Sequence, residues 1–534
     1  MPCWLLSALI LSIFINGVLA KVWTYKQADI FPRSNEFKIR VSGQSVDVVQ
    51  FKDYDYAHFS MDGPVDIEVE KVNNNDVGVF SISPLKLDIN SKATKKGTKI
   101  TWNMKEPHYL IVRVDGRKRL VILADPPEDK PFTANSAGVR NVKASPYKAD
   151  STGKTYATEA IQKAIEDATK AGGGVVYVPA GVYKCGTIIV RPNVHLYLEG
   201  GSVLQYTGDP NVYAQWWRKY NRPYTFFLRT SMWSSNVKIT GRGTVWGDGK
   251  ATFGEKEKLG VTVMAPMVTK NFLFDGPIIK EGSFWHFHVI NSKDVSIRNA
   301  KVLGRFDMGE NDGFDITESQ NVHIKRAVAI VWDDSFSTKA YDPGHNNTDV
   351  FNRIEGPAMP VKNVLIEDTL AWTGLYGWKV GQGANVAQSN ILFRDGVVYD
   401  CSRAVGVERK YGPGHFSNIT WQNIDVEHVS VTVGSKRCWA MFHGVDVGQG
   451  RGTTAGMRVE KVHLYDTGTT PVLIEGPNTG DGLISDVLFK DVYVKSLGRQ
   501  AHTAAEAKLT ANKNVKNIRL AYSDSGSKTI QVVA

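Results

Sequence analysis

Three aspartates, Asp312, Asp333 and Asp334, are the residues of this sequence best suited to chemistry. Asp312 lies in the segment NDGFD, and the other two follow in the segment WDDS, 21 residues from Asp312 to Asp333. Carboxylates gathered on one small surface repel one another, which raises at least one pKa and keeps that group protonated near neutral pH. Hydrolysis of a glycosidic bond needs this division, because a carboxylic acid protonates the leaving oxygen while a carboxylate activates water.

Other interpretations of the aspartates are structural. A lone Asp-Asp pair favours a ladder that stabilises turns, or a calcium site, but two motifs one repeat apart favour catalysis. His286 and His288 alternate with Phe287 and so project to one side of a strand. No third ligand accompanies them, so we expect structural histidines, no metal and no cofactor.

A repeat of short strands is the element that must position the aspartates. Each strand begins with Asn or Asp and an aliphatic residue, and successive starts are separated by 23, 27, 42, 27 and 28 residues. The starts are Asn271, Asp294, Asn321, Asn363, Asn390 and Asn418. This pattern predicts an all-β fold, a right-handed parallel β-helix (a solenoid) with one long insertion. Adjacent coils stack ~4.8 Å apart, so residues one coil apart in sequence become neighbours in space.

Two further elements precede the coils. Residues 21–132 alternate short apolar strands with turn signals and predict a small β-sandwich, whereas residues 133–534 form the predicted β-helix domain. The stretch that begins at Asp125 is rich in proline and charge and is typical of a linker. One amphipathic helix, ATEAIQKAIEDATKA, ends before Gly172 and is expected to cap the open first coil.

Composition indicates a globular protein with a large core. The 534 residues are 42% hydrophobic and 22% charged, which excludes a disordered chain. The formal charge of +10 is compatible with acidic polymers such as pectin, other uronates or nucleic acid. No run of five basic residues occurs, so we expect no nucleic-acid partner.

The first twenty residues resemble a signal peptide. An apolar run extends from Leu5 to Leu19, and Val18 and Ala20 are the small or apolar residues before Lys21. We therefore expect a secreted, extracellular protein, with an uncleaved membrane anchor as the alternative. No later segment is apolar enough to span a bilayer, so no membrane contact is expected, and the protein is expected to be a monomer.

The cysteines and the glycosylation sequons are compatible with a secreted protein, but they do not establish secretion. Cys185, Cys401 and Cys438 remain after the signal peptide, and this odd number leaves at least one thiol unpaired. Cys401 and Cys438 would bridge neighbouring coils or stay as buried thiols. Asn346 and Asn418 lie in sequons and are glycosylation candidates if the source is a eukaryote.

At this point the sequence resembles the polygalacturonase family and its clan relatives, the dextranase and isopullulanase family. The segment NVKITGRGTVWGDG from Asn236 resembles the family's opening coil, and NDGFD from Asn311 resembles its Asn-Thr-Asp-Gly-x-Asp motif. WDDS from Trp332 resembles its Gly-Asp-Asp-Cys motif. The resemblance covers the whole predicted β-helix and implies a polysaccharide substrate.

The resemblance assigns a role to each aspartate. Asp333 falls on the family's general acid, and Asp312 and Asp334 fall on the pair that activates water. Side chains splayed from adjacent coils span the ~6.5–9.5 Å that separates the carboxyl groups of inverting enzymes, so we expect inversion at the anomeric carbon.

Two family motifs are altered in this chain. The Gly-His-Gly motif aligns with residues 375–377, so Tyr376 takes the place of its histidine. The Arg-Ile-Lys motif, which grips a uronate carboxylate, aligns with residues 408–410; Lys410 matches and Glu408 replaces the arginine, unless Arg409 takes that register. Glu408 would repel a substrate carboxylate by ~1 kcal/mol or more. This argues for a neutral glycan such as an α-glucan, and the predicted sandwich points the same way because the dextranase-like branch carries one.

Further side chains are predicted to contact the sugar. Asn311 and Lys339 are candidate hydrogen-bond donors, and Tyr376, Glu408 and Lys410 are candidate substrate contacts. Aromatic faces match the C–H face of a sugar ring, and the candidate platforms are Trp285, Trp332, Trp372 and Trp378. The insertion from about 340 to 360 is long enough to wall or gate the cleft.

The sequence leaves the substrate open between a dextran-like α-glucan and a pectin-type polymer. Two rival functions share the predicted fold: a β-helix polysaccharide lyase, and a non-catalytic protein that only binds glycans. A lyase would leave an unsaturated product end that absorbs in the ultraviolet, and a hydrolase would not.

Overall fold

The computed structural model describes residues 20–533, apart from 74, 220–221, 254–256, 342–352, 446–449 and 479–482. The predicted signal peptide up to residue 19, the Asn346 sequon and much of the predicted insertion therefore lie outside the described residues. Among the residues that are described, no helix is long and apolar enough to cross a membrane.

The N-terminal part is a β-sandwich of two sheets around an apolar core. Alternating side chains build it; in β6, for example, Val65, Ile67 and Val69 are buried and the residues between them are more exposed. One sheet contains β1 (Val22–Thr24), β4 (Val48–Gln50), β5 (Tyr54–Met61), β7 (Phe80–Ser83), β10 (Tyr109–Val114) and β11 (Arg119–Asp125). The other contains β2 (Phe37–Val41), β3 (Gln44–Val46), β6 (Val65–Lys71), β8 (Thr94–Lys96) and β9 (Lys99–Met104), and the 3-10 helix η1 (Leu85–Leu87) follows β7.

The remainder is a right-handed parallel β-helix, which confirms the predicted fold class. A long sheet contains β12 (Val139–Asn141), β13 (Thr152–Tyr156), β14 (Gly174–Val178), β15 (Gly181–Lys184), β17 (Val194–Leu198), β18 (Ser202–Gln205), β21 (Ser235–Gly241), β22 (Thr244–Trp246), β24 (Lys270–Asp275), β25 (Ile278–Lys280), β27 (Lys293–Leu303), β29 (Gln320–Val331), β31 (Val361–Thr373), β33 (Gln388–Arg394), β34 (Val397–Asp400), β36 (Phe416–Val426), β38 (Thr454–Leu464), β40 (Ile484–Val494), β41 (Arg499–Gln500), β43 (Val515–Tyr522) and β44 (Lys528–Val533).

A shorter sheet lies across the coil from the long one. It contains β16 (Ile188–Val190), β19 (Trp217–Lys219), β20 (Arg222–Thr230), β23 (Gly260–Ala265), β26 (Phe287–Ile290), β28 (Phe314–Thr317), β30 (Phe336–Lys339), β32 (Tyr376–Gly383), β35 (Arg403–Tyr411), β37 (Ala440–Gly444), β39 (Val472–Glu475) and β42 (Leu509–Ala511). Inward side chains of both sheets form one continuous apolar core along the axis. Cys185, Cys401 and Cys438 are buried free thiols, so no disulfide links Cys401 to Cys438.

The predicted coil starts form a ladder of hydrogen bonds on the outside of the helix. Each of the six residues has a positive φ, between 51° and 58°, which asparagine and aspartate tolerate better than most residues. The side-chain amide of each asparagine donates to the oxygen of the residue one coil before, for example from Asn321 to Asp294 over 2.9 Å and from Asn363 to Asn321 over 2.9 Å. These bonds stabilise the turns at which the coils begin.

Helix α1 (Thr158–Lys170) covers the first coils as predicted. It buries Ile161, Ala164, Ile165 and Ala168 against the end of the core, and it ends before three consecutive glycines with positive φ. The cap closes an apolar core that would otherwise be open to water. A second, short helix, α2 (Gly249–Thr252), lies between β22 and β23.

The sandwich packs along the long sheet through an apolar interface. Tyr54 and Tyr56 of β5 belong to one buried cluster with Leu303, Ile330 and Leu370 of the β-helix. The Tyr54 hydroxyl also donates to the Gly304 carbonyl over 3.0 Å. The sandwich therefore supports the coils that carry the aspartates.

Asp125 is the polar centre of this interface and is fully buried. Its carboxylate accepts a hydrogen bond from the Tyr109 hydroxyl (2.6 Å) and lies 2.8 Å from His58 Nε2 within the sandwich. On the β-helix side, the Lys301 ammonium contacts this carboxylate, and the Arg242 guanidinium lies 3.2 Å from it. Burial raises the pKa of Asp125, but Lys301 and Arg242 outweigh it and hold this pKa well below its usual value. The predicted linker therefore begins with a residue that joins the two units.

We predict that Asp125→Asn destabilises the protein by ~3–5 kcal/mol, because it leaves the buried Lys301 charge without its carboxylate and Arg242 with only the more distant Asp275, at 3.9 Å. Denaturant unfolding at neutral pH measures this change. Asp129→Asn is the matched control, since its ion pair with Arg298 (3.1 Å) is exposed and its loss should cost less than ~1 kcal/mol. Equal effects of the two substitutions would contradict this account of the interface.

Candidate active site

The stacking of two coils brings the aspartates together. Asp312 and Asp334 each lie two residues before strands that pair in register, Phe314 with Phe336. The N–H of Gly313 donates to the Asp334 carbonyl over 2.8 Å. A Cβ at Gly313 would lie 2.4 Å from the Ser335 carbonyl oxygen, so this close approach requires glycine.

The three carboxylates share one cavity of about 390 Å³ on the shorter sheet. One oxygen of Asp312, of Asp333 and of Asp334 lie within 4.8 Å of one another. These chosen oxygens are closer together than the ~6.5–9.5 Å expected between the carboxyl groups of an inverting enzyme, so their separation does not support inversion.

Asp333 has the surroundings of a protonated acid. The Asn311 side-chain oxygen accepts the backbone N–H groups of Trp332 (3.0 Å) and Asp333 (3.1 Å), and the Thr373 hydroxyl donates to the Asp333 carbonyl. Burial, followed by the charges of Asp312 and Asp334, raises the pKa of Asp333 well above its usual value. Among the described residues, no lysine or arginine forms an ion pair with its carboxylate.

Asp312 and Asp334 differ because a lysine contacts each of them. The Lys339 ammonium contacts Asp312, and the Lys379 ammonium lies 3.0 Å from Asp334 Oδ2. Burial raises the pKa of Asp334, while Lys379 opposes that shift. The site thus holds two carboxylates with cationic partners beside one without.

Glu408 is not a free charge in the cleft. Its Oε2 lies 3.1 Å from the Lys379 ammonium and its Oε1 lies 2.6 Å from the Lys410 ammonium. Although burial opposes the shift, Lys379 and Lys410 lower the pKa of Glu408 to about 2. Arg409 points away and donates to the carbonyls of residues 412 and 414, so it does not replace the family's arginine. The repulsion that we expected between Glu408 and a substrate carboxylate is therefore largely neutralised.

The two histidines of β26 and the preceding loop are structural. His286 Nδ1 lies 3.0 Å from the carbonyls of Asn311 and Asp312, and His288 Nε2 lies 2.9 Å from the Thr317 hydroxyl. Burial lowers the pKa of His286 to about 4, so it is neutral at physiological pH. The three aspartate oxygens are near enough to hold a cation, but the two lysines already supply positive charge at that position.

Several predicted substrate contacts line the cavity. These are Lys339, Tyr376 and Glu408, together with Trp285, whose ring centroid lies 3.8 Å from the Lys339 ammonium. Lys410 contributes through its ion pair with Glu408. From the predicted insertion, the described residues Ala340 and Tyr341 also line the cavity.

Four predicted contacts were wrong. Trp378 is fully buried in the β-helix core, because its strand alternates and the neighbouring Lys379 takes the outward position. Trp372 packs against Tyr54 at the sandwich interface, and Trp332 covers Gly374 outside the cavity lining. Asn311 is buried, and its side-chain amide forms hydrogen bonds with backbone groups. It therefore positions Asp333 and does not face the sugar.

The sequence analysis missed Lys379 and Arg403. Both line the cavity, and in the stacked strands Tyr376 pairs with Arg403. The signal for Lys379 was present in the alternation of Trp378, Lys379 and Val380, where two core residues flank an outward one. Arg403 had no comparable signal, because it begins a strand whose register depends on the previous coil.

Residues 212–470, just under half of the chain, match the model of glycosyl hydrolases family 28. Exopolygalacturonase X-1 from Emericella nidulans is 24% identical over 360 residues, which is 61% of this chain and 76% of the relative.

Two solved structures share the fold. A hyperthermoactive exopolygalacturonase from Thermotoga maritima aligns with a TM-score of 0.57 and 19% identity, covering 74% of this chain and 94% of its own. Dex49A from Penicillium minioluteum aligns with a TM-score of 0.59 and 12% identity, covering 93% of this chain and 96% of its own. The alignment with Dex49A covers enough of this chain to include the N-terminal region.

The fold is a parallel β-helix, and the similarity to glycosyl hydrolases family 28 and to exopolygalacturonases identifies a glycoside hydrolase. Over residues 212–470 the chain is similar to glycosyl hydrolases family 28, and its fold is the one that the polygalacturonase-like and dextranase-like enzymes share.

Proposed function

We propose that this protein is a secreted enzyme that hydrolyses a polysaccharide, with Asp333 as the general acid and Asp312 and Asp334 as the groups that activate water. One observation carries the assignment: Asp333 is the carboxylate with a raised pKa and, among the described residues, no cationic partner. Asp312 and Asp334 each contact a lysine, so a positive charge lies beside each of these two carboxylates. The secreted location rests on the signal-like first twenty residues.

The reaction uses these charges in one displacement. Asp333 transfers its proton to the glycosidic oxygen as the bond from that oxygen to the anomeric carbon breaks. A water molecule attacks the anomeric carbon and gives up a proton to Asp312 or Asp334. The carboxyl groups thus act on both the leaving oxygen and the attacking water. General acid–base catalysis of this kind increases the rate by about 10²–10⁴-fold.

The third carboxylate favours attack by water over attack by a side chain. A retaining mechanism needs one acid and one nucleophile, so one of the three aspartates would have no role. A water molecule can donate one hydrogen bond to Asp312 and one to Asp334, and it loses a single proton to one of them as it attacks. We therefore propose inversion on this ground and on the family resemblance, although the short separation by itself is closer to that of retaining enzymes.

The cleft favours an acidic polymer of the pectin type, with a dextran-like α-glucan as the alternative. The neutral-glycan argument rested on an unpaired Glu408, and Glu408 is paired with Lys379 and Lys410. Arg403 lines the cavity, is 6% exposed and has no carboxylate partner among the described residues. An arginine whose charge is uncompensated attracts the carboxylate of a uronic acid.

We predict that Asp333→Asn abolishes nearly all turnover, and that Asp312→Asn and Asp334→Asn each lower kcat by about 10²–10⁴-fold. Release of reducing ends by the purified variants measures these losses. Because the raised pKa of Asp333 must be retained for proton donation, wild-type kcat should fall as the pH rises through that pKa. Asp368→Asn, an exposed carboxylate on the long sheet, is the control and should behave as wild type. Unchanged activity of Asp333→Asn would remove the catalytic assignment.

The stereochemistry of the product is a separate prediction. Proton NMR during the first minutes of hydrolysis should show the anomer opposite to that of the substrate, because water attacks the face away from the leaving oxygen. A retained anomer would mean that one aspartate is a nucleophile and would refute the roles of Asp312 and Asp334.

The substrate prediction is tested on four polymers. Reducing ends should be released from polygalacturonate or rhamnogalacturonan at least tenfold faster than from dextran or pullulan, because Arg403 attracts uronate carboxylates. Faster hydrolysis of dextran or pullulan would favour the α-glucan alternative. A product that absorbs in the ultraviolet would indicate a lyase instead of a hydrolase.

A further inference from the structure

A chain of alternating charges extends from the catalytic cluster into the wall of the cleft. The Lys379 ammonium lies between Asp334 Oδ2 (3.0 Å) and Glu408 Oε2 (3.1 Å). The side chains of Asp334 and Lys379 are 2% and 3% exposed, and that of Glu408 is 13% exposed. On its far side, Glu408 contacts the Lys410 ammonium at 2.6 Å. Three consecutive coils contribute to this chain.

The same arrangement occurs at the other paired aspartate. The Lys339 ammonium contacts Asp312 and also lies 2.7 Å from Asp315 Oδ1. Asp315 is in turn fixed by the Ser337 hydroxyl, which donates to it over 2.6 Å. Each aspartate proposed to activate water is therefore linked through a lysine to a second acidic side chain outside the catalytic cluster, but burial raises the pKa of Asp315 whereas the pKa of Glu408 is lowered.

We propose that Glu408 is a positioning residue that holds the Lys379 ammonium against Asp334, and that it is not a ligand of the substrate. This inference rests on the proposed role of Asp334 in activating water.

The contacts of Glu408 support positioning over substrate binding. Both of its carboxylate oxygens are taken by lysines, so neither is free to accept a sugar hydroxyl without breaking an ion pair. A lysine side chain is flexible and carries a point charge, so a single carboxylate fixes it poorly. With Glu408 on one side and the Tyr376 ring centroid 4.9 Å away, the Lys379 ammonium is confined beside Asp334.

This role explains the altered motif. An arginine at position 408 would place a second cation next to Lys379 and push it away from Asp334. A glutamate at this position and a lysine at 379 are therefore a matched pair. The residue that departs from the family pattern serves the catalytic carboxylate, and its charge does not select a neutral substrate.

The charged groups that face Asp334 set the expected pH effect. They are Asp312 and Asp333 from the catalytic cluster, Lys379 and Tyr376 from β32, and Lys339 from β30. Lys379→Met removes the nearest cation, so the charged form of Asp334 is disfavoured and its pKa rises. The acidic limb of the kcat/KM profile should move up by about one pH unit or more.

Glu408→Ala tests the positioning role directly. We expect kcat to fall by about 10- to 100-fold, because a displacement of about 1 Å in a reacting group costs up to about 10²-fold, while KM changes less than about twofold. Glu408→Gln, which keeps an oxygen for Lys379, should recover part of the loss. Glu475→Gln is the matched control, because Glu475 follows Glu408 by two coils in the same row of side chains and does not line the cavity.

The double variant separates the possible outcomes. If Glu408 acts through Lys379, Lys379→Met with Glu408→Ala should lie within about twofold of Lys379→Met alone. Effects that multiply, or a Glu408→Ala variant that raises KM with kcat unchanged, would overturn the proposal. Thermal unfolding of each variant shows whether it is folded, and Glu408→Gln with Lys379→Met repeats the coupling test if Glu408→Ala does not fold. Activity that survives Asp333→Asn would instead overturn the proposed function, independently of this coupling.

Discussion

The contact of one lysine with each of Asp312 and Asp334 is the interaction on which the site depends. Two like charges 4 Å apart repel by about 4 kcal/mol at the effective dielectric constant of a protein surface, and here three carboxylates lie within 4.8 Å. Lys339 and Lys379 offset this repulsion for two of them. The remaining aspartate, Asp333, can relieve it only by keeping its proton.

The parallel β-helix is what makes this pairing possible. Asp312 and Lys339 come from adjacent coils, as do Asp334 and Lys379, and the strands between them pair in register. A slip of one residue in a strand would turn each side chain to the opposite face. The asparagine ladder outside, the apolar core inside and the sandwich docked through Asp125 all hold the register that the charges require.

The sequence predicted the repeat and the aspartates because both depend on local signals. Asn or Asp before an aliphatic strand marks a turn that recurs every coil, and the distance from Asp312 to Asp333 matches that period. The alternation of inward and outward side chains along the strand places Trp378 in the core and Lys379 in the cleft. We nevertheless expected the tryptophan to contact the sugar. A tryptophan alone does not reveal its side of the strand.

Other features depend on contacts between distant parts of the chain. Glu408 was expected to repel an acidic substrate, because Lys379 becomes its neighbour only when the coils stack, and because the ion pair with Lys410, two residues away on the same strand, was not expected. Trp372 was expected in the cleft, and it lies under the sandwich because residue Tyr54, far away in sequence, packs on it. The separation of the carboxylates also depends on turn geometry that no spacing rule supplies.

The location of a single proton tests the account most directly. Neutron diffraction from deuterium-exchanged crystals near neutral pH should show a deuteron on the Asp333 carboxyl, none on Asp312 or Asp334, and fully deuterated ammonium groups on Lys339 and Lys379. A deuteron on Asp312 or Asp334 with an ionised Asp333 would contradict the assignment of acid and water-activating groups.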